Sequence, residues 1–192
     1  MSTLLVDAIQ DSDGAGPKAT LPASGGSNFT LGPNWGVWEF VSTTAITVVS
    51  ELDTTVASGY DYLLSLTHAV PVTDNVELQA KFGQSGIISA NYTDAAATGQ
   101  TEITLAPNVG FVATEGLSAE LLVPDPGAAG TQKHILSLCD MYTFTDGTIN
   151  ASGKLAGAYT ANTNAIDTVR LLFSSGNFQA IGTLRVWRRR IS

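Results

Sequence analysis

The chain has 192 residues, 44% of them hydrophobic and only 14% charged, with a formal net charge of −8. That is too apolar for a disordered chain, and the length suffices for one well-buried core. Residues 1–169 hold all 17 acids and four lysines, whereas 170–192 hold five arginines and no acid; the acidic body repels phosphate and lacks a basic stripe with interleaved aromatics, so nucleic acid is not the expected partner.

In chain order, residues 1–34 read as an extended N-terminal arm and linker. Ser2 to Gln10 suits one short strand, and DSDGAGPKATLPASGGSN concentrates the residues that punctuate loops. Such a segment buries little apolar surface by itself, so it is either mobile or ordered by docking on a neighbour. Residues 35–192 read as one all-β domain. Gly, Thr, Ser, Ala and Val dominate and helix-favouring residues are scarce. Strands are predicted over Thr44–Leu52, Tyr60–Leu66, Asn75–Phe82, Glu102–Leu105, Leu117–Val123, His134–Met141, Ala165–Phe173 and Gly182–Trp187. Eight strands suit a jelly-roll-like antiparallel β-sandwich. In NVELQAKF, Val76, Leu78, Ala80 and Phe82 share one face, and Val169, Leu171 and Phe173 alternate likewise. Pro124-Asp125-Pro126-Gly127 should break a strand, and Asp146-Gly147 and Ser175-Gly176-Asn177 read as hairpin turns, the latter closing a terminal hairpin.

No catalytic or metal constellation is legible, and no cofactor is implied. His68 and His134 lack zinc-site spacing, and there is no nucleophile elbow, P-loop or dinucleotide fingerprint. Cys139 sits in the apolar run ILSLCDMY, where a free cysteine behaves as a small buried hydrophobe; with no secretory leader pattern, folding in a reducing cytoplasm is expected. No run reaches the roughly 18 apolar residues of a membrane-spanning helix, so membrane insertion is not expected. Two binding options remain. Trp35 and Trp38, with Tyr60 and Tyr62, are the candidate platform for stacking a sugar such as a host surface glycan. Arg185, Trp187, Arg188, Arg189 and Arg190 form a basic, aromatic end suited to an acidic protein partner.

Two stretches carry a resemblance. The opening STLLVDAIQDSDG is similar to the S-T-L-x-V-D-x-I-Q start of many small bacteriophage tail-fibre and other virion proteins. The end, AIDTVRLLFSSGNFQAIGTLRVW, resembles the close of a family of phage tail-fibre-like or head-appendage β-sandwich domains, with Phe173–Asn177 (FSSGN) the most specific part. LTHAVPVTDNVELQAKF and AELLVPDPGAAGTQKHI resemble two further units of that family. The chain departs from it at Val186-Trp187-Arg188-Arg189-Arg190-Ile191, where the family closes with Tyr-Gly-Ile. The resemblance implies a non-enzymatic structural protein of the virion, self-associating as a trimer and docking on capsid or tail proteins through the arm, with Leu4, Val6 and Ile9 as docking residues. A capsid decoration or cement protein is the alternative role, and a carbohydrate- or receptor-binding module the rival from another class.

Overall fold

A computed structural model of the chain describes residues 8–10, 17–20, 30–31, 37–94, 98–142, 149–150 and 154–191. Every regular element among them is a β-strand: β1 Ala8–Gln10, β2 Pro17–Thr20, β3 Thr30–Leu31, β4 Glu39–Ala45, β5 Glu51–Thr55, β6 Tyr60–Ala69, β7 Val76–Gly83, β8 Tyr92–Asp94, β9 Thr98–Gln100, β10 Ile103–Val109, β11 Leu117–Val123, β12 Lys133–Tyr142, β13 Ile149–Asn150, β14 Lys154–Tyr159, β15 Thr168–Phe173 and β16 Thr183–Arg190. The strands β1, β2 and β3 pair antiparallel with one another, with Ile9 opposite Ala19. Leu4, Val6 and Trp35 lie outside the described residues, as does the Asp146-Gly147 turn.

The remaining strands form two antiparallel sheets. The smaller runs β10-β7-β15-β5 and the larger β4-β16-β6-β11-β12-β14-β8-β9, with β13 beside β12. Without β8, β9 and β12 to β14, two four-stranded sheets remain, β4-β16-β6-β11 and β10-β7-β15-β5, and the chain passes back and forth between them. That is the strand order of an eight-stranded jelly roll, two Greek keys wrapped face to face. The other strands are insertions that widen the larger sheet beyond β11. The closed core is built by alternation: Leu64, Leu66, Leu121 and Ile135 from the larger sheet meet Leu78, Phe82, Leu105 and Leu171 from the smaller, all at most 1% exposed.

The predicted face of β7 is the buried one, with Val76, Leu78, Ala80 and Phe82 all in the core; so are Val169, Leu171 and Phe173 on β15. Two local expectations are corrected. Thr44–Leu52 is not one strand: β4 ends at Ala45 opposite Thr183, the Ile46 amide donates to Gly182 O (3.1 Å), and the chain crosses to the other sheet before β5. TAITVVSEL is apolar because Ile46 and Val49 plug the side of the sandwich, while Val48 stays exposed. The terminal hairpin is also absent, since β15 pairs with β5 and β7, and β16 with β4 and β6. The FSSGN segment is instead a bridge between sheets.

That bridge is held by the loop between β6 and β7. The Ser174 amide donates to Glu77 O (2.9 Å), the Glu77 amide donates to Ser174 Oγ (3.0 Å), and the Val72 amide donates to Asn177 O (2.8 Å). Phe173 and Phe178 flank the bend with ring centroids 4.5 Å apart. The side-chain amide of Gln179 donates through Nε2 to Pro71 O (2.7 Å) and Phe111 O (2.5 Å). PVTDN and FSSGN, the distinctive loop sequences, therefore interlock with each other.

One buried cation anchors the β11–β12 connection. Lys133 is fully buried and donates to Ala128 O and to Thr131 Oγ1 (3.1 Å); burial lowers its pKa, with Asp125 opposing. A charged ammonium is thus held at a cost below the lowered folded pKa. As pH climbs from there to the unfolded value of about 10.4, the unfolded chain holds the extra proton and stability rises. We expect Lys133→Met to change stability by under about 1 kcal/mol at neutral pH, because losing the hydrogen bonds offsets losing the desolvation penalty. Urea unfolding across pH 7–10 should show this rise in the parent and its loss in the variant.

Candidate interaction surface

The outward face of the larger sheet is where the sequence-predicted basic end lies. Pairing of β16 with β6 is regular, Arg185 opposite Ser65, Trp187 opposite Leu63 and Arg189 opposite Asp61. Because side chains alternate, Leu184 and Val186 enter the core, whereas Arg185, Trp187 and Arg189 face outward. Opposite β4 there is a bulge, which brings Phe40 to Trp187 and Glu39 to Arg188.

Most of the arginines are already committed within the chain. Arg188 Nε donates to Glu39 Oε2 (2.8 Å), a bond that holds Glu39 below the usual carboxylate range and raises Arg188 in turn. Arg189 Nη2 donates to Asp61 Oδ2 (2.5 Å), and its guanidinium lies 5.1 Å from the centre of the Trp38 ring. Arg188 and Arg190 both lie over Tyr60, at 4.6 and 5.7 Å. On the opposite sheet Arg170 makes a two-pronged contact with Asp53 (2.7 Å for each prong) and pairs with Glu51. These bonds fasten β16 to its neighbours and β15 to β5. Arg185 is different: among the described residues it has no acid and no ring against it.

The aromatic platform expected from Trp35, Trp38, Tyr60 and Tyr62 is only partly assembled among the described residues. Tyr60 and Tyr62 meet edge to face at 6.4 Å, but Tyr62 belongs to the core, and its hydroxyl accepts from the Ala57 amide (3.0 Å). Trp38 is half-buried beneath Arg189. Neither ring presents a free face comparable to an open stacking site.

Away from that end, the outer face is aliphatic. Register places Phe40, Trp187, Leu63, Leu122, Leu136 and Ala156 in one row across six strands. Phe40 and Trp187 meet edge to face at 6.0 Å, and Phe40 is 56% exposed, Leu136 46% and its neighbour Leu138 52%. Small residues of β14 hollow the surface: a trough of about 350 Å³ has Leu63, Leu122, Leu138 and Ala156 on its floor, and a second hollow of about 570 Å³ extends past His134 and Gly157. Gly157 is small for an inward reason, since a Cβ there would collide with Ile103. Below this row runs a second: Arg185, Ser65, Glu120, Leu138. The Ser65 hydroxyl donates to Glu120 Oε1 at 2.6 Å.

The histidines stay apart. His68 sits at a bulge with φ +53, its Nε2 2.9 Å from Ala113 O, and His134 points outward on β12. Among the described residues no three His, Cys, Asp or Glu gather as a metal-holding group. Cys139 is buried. No helix is long and apolar enough to cross a membrane among the described residues. No protein-family model, curated protein or solved structure matches the chain.

The apolar row escaped the sequence reading because each strand contributes only one or two members. One signal was available: in HILSLC both alternating sets carry aliphatic residues, so one set must face outward. The serine is the inward member, Ser137 Oγ donating to Leu105 O at 3.3 Å, which turns Leu136 and Leu138 toward solvent.

Proposed function

We propose that this chain is a non-enzymatic structural component of a bacteriophage particle, a tail-fibre or head-appendage type protein that self-associates and docks on other virion proteins. The observation that carries the reading is the interlock of PVTDN with FSSGN. Those stretches bear the resemblance to phage β-sandwich domains, and here they hold each other rather than open a cleft. Residues engaged in such a joint serve architecture rather than a binding cleft. The fold alone does not decide, since jelly rolls serve capsids, lectins and enzymes alike. A large outward sheet face with exposed aliphatic and aromatic side chains adds support, because a contiguous apolar patch on a folded surface marks an interaction site.

Particles purified from cells carrying the chain's native phage genome should contain it in fixed ratio to the major capsid protein, as measured by quantitative mass spectrometry. Removal of residues 1–28 should abolish incorporation while leaving the unfolding transition of the sandwich in place. Absence of the full-length chain from purified particles would refute the reading. A ratio matching capsomer number would make it a decoration protein, and hydrolysis of host polysaccharide by the pure protein would make it an enzyme.

A further inference from the structure

The second outward row of the larger sheet has a symmetry that its sequence positions conceal. Arg185 on β16 and Glu120 on β11 stand on either side of Ser65 on β6, in one cross-strand line, both exposed. The row beside it repeats the arrangement in apolar form, with Trp187 and Leu122 flanking Leu63. A two-fold axis running along β6 in the plane of a face-to-face contact exchanges the two flanks. It sets Arg185 of each copy over Glu120 of the other, Trp187 over Leu122, and Leu63 over its own counterpart.

We propose that this face is the contact between two copies of the chain, related by that two-fold axis. The inference rests on the self-association in the reading above and specifies its surface and stoichiometry, a dimeric contact where the family resemblance implies a trimer. Charge complementarity selects the second copy as occupant. Arg185 is a cation on this face without an intrachain acid among the described residues, and Glu120 spends one oxygen on Ser65 and leaves the other able to accept. An isologous contact satisfies both twice, whereas an unrelated partner has to supply both charges at this spacing. Trp187 is the residue type that anchors the middle of such interfaces, and a rim of charge around an aliphatic centre is their usual build. Under this axis five strands, β4 through β12 at about 4.8 Å spacing, overlay one another, and with the two rows above and the Thr183–Thr67 row beyond Arg185, at about 6.8 Å spacing, the footprint is on the order of 500 Å² per copy, just below the lower edge of standard-size interfaces.

The test is sedimentation equilibrium of the full chain and of charge-reversed variants. The parent should be a dimer. Arg185→Glu and Glu120→Arg each place like charges opposite each other twice, and each alone should raise the dissociation constant about tenfold or more. Mixing the two single variants should restore a dimer containing one of each, because the introduced glutamate of one copy then faces the introduced arginine of the other, and the double variant should dimerise by itself. Both positions are exposed, so the fold is not at stake, and an unchanged unfolding transition checks this. A parent trimer overturns the two-fold contact while leaving a self-associating virion protein intact. A parent monomer, or a dimer indifferent to both reversals, overturns it as well, and the particle analysis above then judges the virion role on its own.

Discussion

Gly182→Ala is expected to cost about 4 kcal/mol, a large part of the 5–15 kcal/mol that holds a typical domain together. Gly182 has φ +95, beyond the left-handed basin that an L-residue enters only at a cost. A Cβ there would also press on backbone, the carbonyl oxygens of Thr67 and His68, the latter at 2.5 Å. Neither can swing aside, because Thr67 and His68 form the bulge through which β6 passes β11, and Ser118 Oγ accepts from the His68 amide (3.2 Å). Gly182 O in turn accepts from Ile46 where β4 leaves the sheet. One methyl group therefore strains three strands at once. Gly59→Ala is the control: φ is +80 there, yet nothing lies within 4 Å of the added carbon. That variant should lose only the backbone preference, about 1 kcal/mol. Denaturant unfolding of the pair separates backbone strain from collision. Equal losses would mean that the β6 bulge yields, and that β16 is not pinned there.

How much of this was legible in the sequence depends on what each pattern measures. Alternation reports whether a strand has one buried face, and it placed β7 and β15 correctly because both lie inside the smaller sheet with flanking strands on each side. It does not report which sheet a strand joins. TAITVVSEL and the segment around FSSGN read as continuous strand and as hairpin because both are apolar or turn-rich locally. Only the partners Gly182 and Glu77, more than 90 residues away along the chain, turn them into crossings between sheets. The inserted strands β8, β9 and β14 escape a sequence reading for the opposite reason. They are short or rich in Gly, Ala and Thr, and what orders β14 is its pairing with β12 on one side and β8 on the other. The basic end was visible in composition. Its division into arginines that fasten β16 and one that faces out without a partner acid was not, since Glu39 and Asp61 come from strands over 120 residues earlier.

The second large effect is a pH dependence centred on Tyr92. Its side chain is wholly buried between Phe82 (ring centroids 6.1 Å) and Tyr159 (5.6 Å). The hydroxyl accepts from the Phe82 amide (2.8 Å) and has Ile88 O at 3.0 Å to receive its proton. Burial, reinforced by Tyr159 and Glu102 and opposed by the Phe82 hydrogen bond, pushes the phenol up to about 12. In the unfolded chain it titrates near 10, so between about pH 10 and 12 the folded state keeps a proton the unfolded state has lost. Stability contributed by this group is whole below pH 10 and falls through that window, by about 2.7 kcal/mol for two units. Tyr92→Phe leaves the Phe82 amide buried without its acceptor, which costs about 1–3 kcal/mol near pH 8. Phenylalanine has nothing to ionise, however, so the variant lacks the alkaline decline. The gap between parent and variant should close as pH rises from 10 to 12. Guanidinium unfolding at half-unit steps measures it, and a gap that stays constant would show that the Tyr92 hydroxyl titrates as freely in the folded protein as in the unfolded chain. The position matters because β8 belongs to the widened part of the larger sheet, and Tyr92 is the buried side chain by which β8 is packed, beside Tyr159 of β14, onto the jelly-roll core. Loss of its bond at high pH should therefore loosen the β14–β8 edge before the β16–β6–β11 centre, an order that amide exchange would read strand by strand.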